Sequence, residues 1–114
     1  MSGIKVFSEE IEEDEIKVTA NLLEVENGVI AFFNEKGSVK LGTLAVAIPQ
    51  YSGRTCISSI LLGERNVLIT KILAEQLAKT FNKISIVSTH LIEVKKSQTG
   101  SVLVRLAQKL GKKS

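Results

Sequence analysis

The hydrophobic positions of this chain read as a series of strands, then two helices with one strand between them. Ile16, Val18, Ala20 and Leu22 alternate with Lys17, Thr19 and Asn21, the two-residue period of a half-buried strand. Leu23 and Val25 then switch parity, which a bulge or burial of both faces near the strand end explains. Asn27-Gly28 follows. Both residues tolerate the positive φ of a tight hairpin turn, so Val29 to Phe33 is predicted as the returning strand. Lys36-Gly37-Ser38 makes the next turn. A third strand runs from about Lys40 to Ile48, and its Leu44-Ala45-Val46-Ala47-Ile48 core is apolar at every position. That is the pattern of an inner strand covered on both faces. Pro49 cannot donate to a ladder and stops it. Gln50 to Arg54 reads as a loop and Thr55 to Leu62 as a fourth strand, closed by Gly63.

The period then lengthens. Ile69, Leu73, Leu77 and Phe81 repeat every four residues with Ile72 beside them, which predicts an amphipathic helix lying on the sheet. Asn66 is its expected N-cap. Glu75 and Lys79 stand in the favourable i,i+4 order on another stripe. Ile84 to about Val94 is the next extended segment. Ser101 is placed to cap a last helix whose buried stripe is Val102, Leu103, Leu106, Ala107 and Leu110, with Gly111 at C′. Strands clustered ahead of helices predict an α+β fold with a largely antiparallel sheet.

Composition sets the class. A chain of 114 residues with 44% hydrophobic content is one globular domain that buries most of its surface without staples. Cys56 is the single cysteine, so no intrachain disulfide forms and a reducing compartment is expected. No apolar run approaches the ~20 residues of a membrane helix, and the N-terminus is too acidic for a signal peptide. The expectation is a soluble cytoplasmic protein.

The net charge of +3 hides an uneven layout: Glu9, Glu10, Glu12, Glu13, Asp14 and Glu15 are half of the 12 acids. Residues 1–15 therefore read as an acidic N-terminal arm, with Val6 and Phe7 able to dock, and 16–114 as the single α+β domain. From Ile16 onward the chain carries a net charge of +8. A positive body suits nucleic acid or an acidic protein surface. An arm of this kind could shield that body until a partner displaces it.

Catalytic chemistry is not expected. One His and one Cys, His90 and Cys56, stand far apart in sequence, with no zinc spacing and no His-x-x-x-His pair. Cys56 reads as a small core thiol and His90 as an edge residue. The acidic run lacks the alternating ligands and central glycine of a calcium loop. No phosphate-binding glycine motif occurs, although Gly63-Glu64-Arg65-Asn66 precedes a helix start where backbone N–H groups could meet an anion. No catalytic, metal or cofactor residue is assigned. Nucleic-acid binders usually add aromatics for stacking, and here Phe7, Phe32, Phe33, Tyr51 and Phe81 are the whole set.

The order of segments from Leu44 to Leu91 carries a resemblance. Leu44 to Ala47 is an apolar LAVA strand. Ser59 precedes Leu61-Leu62-Gly63-Glu64. Leu73 to Lys83 reads LAEQLAKTFNK and runs into a strand holding Val87-Ser88. This resembles the small proteasome-assembling chaperones, the third and fourth subunits of the eukaryotic set and their archaeal relatives. The resemblance covers about the central half of the chain. It implies an antiparallel sheet with packed helices, a dimer (a second copy or a sister subunit), no covalent chemistry, and binding to a proteasome α-type subunit or α-ring intermediate. Some proteasome-binding proteins end in hydrophobic-Tyr-any residue; this chain ends Lys112-Lys113-Ser114, so engagement by the folded surface is expected. Arg54, Arg65, Lys71 and Lys79 are the partner-binding candidates, chosen for charge and expected exposure. The alternatives are a small basic nucleic-acid-binding protein and a dimeric scaffold for another partner.

Overall fold

The computed structural model describes residues 3–13, 16–35, 38–49, 56–91 and 96–113. Its elements in chain order are β1 (Lys5–Glu13), β2 (Ile16–Val25), β3 (Gly28–Glu35), β4 (Thr43–Pro49), β5 (Cys56–Leu62), α1 (Val67–Phe81), β6 (Ile84–His90) and α2 (Lys96–Lys113). The strands form one six-stranded sheet in the order β1-β2-β3-β6-β4-β5. Every adjacent pair is antiparallel except β3 and β6. This is the expected α+β class. The parallel pair follows from the connection: α1 carries the chain from the outer strand β5 past β4, and β6 enters between β3 and β4.

Strand parity puts one side chain in two under the helices. Val18, Ala20 and Leu22 of β2, Val29, Ala31 and Phe33 of β3, Val87 of β6, and Ala45 and Ala47 of β4 are all buried, and the cross-strand register places them on one face. α1 packs on β4, β6 and β5, while α2 covers β1 and β2. The expected α2 stripe of Val102, Leu103, Leu106, Ala107 and Leu110 is buried. In α1, Leu73 and Leu77 are buried together with Ala74 and Ala78, and Ile69 and Phe81 pack at the margin. Ile72, expected beside that stripe, is instead 41% exposed.

Several local expectations are corrected. The acidic stretch contributes a strand: β1 pairs with β2 from Lys5↔Glu24 to Glu13↔Ile16. Phe7 and Ile11 take the helix-side positions and pack in the core. Ser8, Glu10 and Glu12 have the opposite parity. Glutamates are poor strand formers but suit an edge, where their charge repels further strands. The β2–β3 turn consists of Glu26 and Asn27, closed by Val25↔Gly28. Neither Asn27 nor Gly28 has positive φ; among the described residues only Gly63, Asn66 and Asn82 do. Gly28 serves close approach, because an added Cβ would sit 3.2 Å from the Ile84 carbonyl oxygen of β6.

Asn66 does not cap α1 with its side chain. Its backbone is left-handed, with φ 57, and its Nδ2 donates to the Leu91 carbonyl at 3.2 Å, tying the helix start to the end of β6. Ser101 and Gly111 both lie inside α2, which begins at Lys96 and ends at Lys113. Gly111 is small because α1 is close: a Cβ there would lie 2.6 Å from Thr80 Cγ2. β4 extends through Pro49, which pairs with Cys56. The strand is covered on one face only, since Leu44 and Val46 are half-buried and Ile48 is 48% exposed. β6 ends at His90. The Gln50 to Arg54 loop, residues 36 and 37 of the expected turn, and residues 92–95 lie outside the described residues.

Polar ties also fix the helix layer to the sheet. Lys83 Nζ donates to Glu24 Oε2 at 2.7 Å and to the Val25 carbonyl at 3.0 Å. Thr70 Oγ1 lies 2.6 Å from the Asn66 carbonyl and 2.7 Å from Thr89 Oγ1, inside the α1–β6 contact.

Candidate functional site

Both helices occupy one face of the sheet; on the other, Lys40 and Gly42 of the segment before β4 reach over the buried Asn34 and Ser88, and the rest has no cover among the described residues. Register defines what it presents. One row runs Val6–Leu23–Ile30–Ile86–Val46–Ser59 across all six strands. Ile48 and Ile57 pair beside it, and Ile30, Ile84, Ile48 and Ile57 are among the exposed large hydrophobics. Five of the six residues in that row are apolar, on a surface where an antiparallel sheet facing water normally alternates to polar. Further along the strands the face turns polar. Ser8 Oγ donates to Asn21 Oδ1 at 2.7 Å, and the next row is Glu10–Thr19–Asn34–His90. Lys17 Nζ lies 3.5 Å from Glu10 Oε2, an exposed pair worth little. Asn34 is buried; its Oδ1 accepts from the Lys40 N–H at 3.0 Å, and its Nδ2 is buried without a partner.

A second surface lies on the outer side of α1. Leu68 is 72% exposed, the highest value among the exposed large hydrophobics, and Ile72 follows one turn later. They line a groove of about 480 Å³ with Ile69, beside Gly100 of α2. The partner candidates Arg65, Lys71 and Lys79 lie at this helix: Arg65 just before it, Lys71 and Lys79 on it. Arg65 and Lys79 are exposed and Lys71 is half-buried. Arg54 lies outside the described residues. Glu75 accepts a hydrogen bond from Ser58 of β5. The structure thus brings Arg65 and Lys71 to one end of the helix, with Lys79 two turns further along.

Among the described residues no group of three or more His, Cys, Asp or Glu could hold a metal ion. His90 ends β6 half-buried opposite Asn34, and Cys56 begins β5. No helix is long and apolar enough to cross a membrane.

A solved structure shares this arrangement. It is one chain of a chaperone complex for yeast 20S proteasome assembly, matching with a TM-score of 0.65 and 16% identity over 98% of this chain and 92% of that one. This chain shares the fold of that yeast chain. At this identity the likeness speaks for the fold alone, and it spans the whole domain. No protein-family model matches the sequence, and no curated protein sequence does either.

Sequence reasoning missed Leu68 and Ile72 as surface residues and missed the open sheet face. The signal for the face was present in Leu44 to Ile48. A strand apolar at every position wants two covers, and among the described residues the helices supply one.

Proposed function

We infer that this chain is a non-catalytic proteasome-assembly chaperone, of the archaeal-like third or fourth subunit type, that holds an α-type subunit or α-ring intermediate as a dimer. The observation that carries the reading is the full-length likeness of fold to a yeast 20S assembly chaperone chain. The order of LAVA, SILLGE and LAEQLAKTFNK along the chain points the same way. The dimer reading rests on the open face. A row of apolar side chains crossing five strands is a surface that a second chain would cover, and the neighbouring polar row sets its limit. Such a protein works by complementarity. It covers a surface of an intermediate, blocks wrong associations, and leaves when the completed assembly competes for that surface.

The test is direct. The purified protein is mixed with recombinant α-type subunits and with completed 20S particles, and complexes are read by native mass spectrometry. A complex with the subunits and none with the finished particle is expected; absence of any complex with α-type subunits refutes the reading. Light scattering on the same material reports the dimer. Ile30→Lys, in the centre of the apolar row, should yield a folded monomer.

A further inference from the structure

We propose that the segment before β4 is a docking ridge whose occupant is a second copy of this chain, the ridge of each copy seating in the apolar band of the other. The inference rests on the dimer reading and adds to it how the two copies meet.

Two hydrogen bonds build the ridge across the sheet face that carries no helix. The Lys40 N–H donates to Asn34 Oδ1 of β3 at 3.0 Å, and the Gly42 N–H donates to Ser88 Oγ of β6 at 3.0 Å. Strand parity turns Asn34 and Ser88 away from the helices, yet they are 0% and 1% exposed, so the segment covers them. Gly42 has no room for a side chain, because an added Cβ would run into the Thr89 carbonyl. Val39 lies further along the ridge, lining a hollow with Ser8, Thr19 and Asn21 of β1 and β2. The result is a raised line of chain that crosses β6, β3 and β2 over the polar end of the face.

The ridge is apolar where folding does not require it. Leu41 is 68% exposed and Val39 is 60% exposed, and neither belongs to the core. Beside the ridge lies the bare band. Next to the row Val6–Leu23–Ile30–Ile86–Val46, on the side away from the ridge, stand Val25, Gly28 and Ile84, then Ile48 and Ile57. Two rows over six strands make a band of about 29 by 14 Å, roughly 400 Å². A stable contact takes about 800 Å² from each partner, so band against band falls short.

Ridge and band run in the same direction, across the strands, ~14 Å apart. A two-fold axis parallel to both and midway between them exchanges one for the other. Leu41, held between Asn34 and Ser88, then meets Ile30 and Ile86 of the second copy, and Val39 meets its Val6 and Leu23. Each copy contributes a band and a ridge, which roughly doubles the area, and an isologous contact of this kind closes at two chains. Glu10 and Lys17, beyond the ridge, stay in water.

The experiment is sedimentation equilibrium on the full-length chain, on Leu41→Asp, and on Leu68→Asp as an exposed apolar position on α1, off this face. The two-fold removes two anchors with one substitution, so Leu41→Asp is expected to raise the dimer dissociation constant roughly 100-fold with circular dichroism unchanged. Leu68→Asp is expected to leave it as it is. A second measurement reads the pairing itself. In a Cys56→Ser background, Leu41→Cys protein is mixed with Ile30→Cys protein and oxidised; a covalent dimer holding one chain of each is expected. Leu41→Asp dimerising as tightly as the unaltered chain, or a mixture that yields no such mixed dimer, overturns the ridge contact while leaving a sheet-face dimer standing. A monomeric unaltered chain overturns the dimer reading and the ridge contact together. Loss of the dimer in Leu68→Asp alone places the contact on α1 and also overturns both.

Discussion

Lys83 is the side chain whose removal tests the fold most directly. It follows α1 and reaches back to the β2–β3 turn, where its ammonium meets the Glu24 carboxylate at 2.7 Å and the Val25 carbonyl at 3.0 Å. The two side chains are only 25% and 13% exposed, so the pair lies between two limits. Exposed pairs contribute about 1 kcal/mol at most, and breaking a fully buried one costs about 3–5 kcal/mol. Lys83→Met keeps the stem's packing and removes the charge, leaving Glu24 largely desolvated without its cation. A loss of about 2 kcal/mol is expected. With a urea m-value of ~1–2 kcal/mol/M for a domain of this size, the unfolding midpoint falls by about 1–2 M. The assay is urea unfolding followed by circular dichroism at one fixed protomer concentration, so that self-association does not enter the comparison. Adding Glu24→Gln to Lys83→Met should cost less than the sum of the single changes, by ~1 kcal/mol. A midpoint for Lys83→Met within ~0.2 M of the unaltered chain, the result for a solvated pair, refutes the clasp.

Other changes probe separate layers. Gly63 has φ +101, and a Cβ there would lie 2.5 Å from Thr43 Oγ1; Gly63→Ala should lower the melting temperature by about 10 °C or more in calorimetry. Leu103 is fully buried on the inner face of α2, so Leu103→Ala should cost ~3 kcal/mol in denaturant unfolding. Thr70→Val removes the hydroxyl shared with Asn66 and Thr89 and should cost ~1–2 kcal/mol, read as faster amide exchange at the start of α1. Deleting residues 1–15 should release β1 together with Phe7 and Ile11 and destabilise the domain, detected as a lower melting temperature; unchanged stability would show that α2 packs as well without them.

The sequence announced the elements whose signals are local. The period-two run from Ile16, the stripe of α1 around Leu73 and Leu77, and the stripe of α2 were legible because burial on one face imprints a period. β1 was hidden because edge strands select charge, and a run of glutamates reads as solvated chain until its pairing with β2 is known. Asn66 was read as a cap from its type. Its left-handed backbone and its reach to Leu91 depend on where β6 ends, which no local rule contains. Ser101 and Gly111 were misplaced for a related reason: the helix carrying them begins five residues earlier and needs a glycine for contact with Thr80. For the candidate site, charge pointed to Arg65 and Lys71. The exposure of Leu68 and Ile72 was not legible, since Ile72 stands next to the buried stripe in sequence and the helix rotation that separates them is set by the sheet beneath.

The place of β6 has a consequence for how the chain comes together in time. β3 and β4 follow each other in sequence yet are not neighbours in the sheet; the strand between them is the last to be made. A chain synthesised as far as Phe81 holds a three-strand meander and a separate hairpin with its helix, each with a bare inner edge where β6 belongs. Neither piece has a finished core, and bare edges invite pairing with other chains. The parallel β3–β6 pairing also closes a loop of some fifty residues, a long-range step that slows folding. The domain therefore commits to its shape late and all at once. A domain built this way is most vulnerable during its own birth.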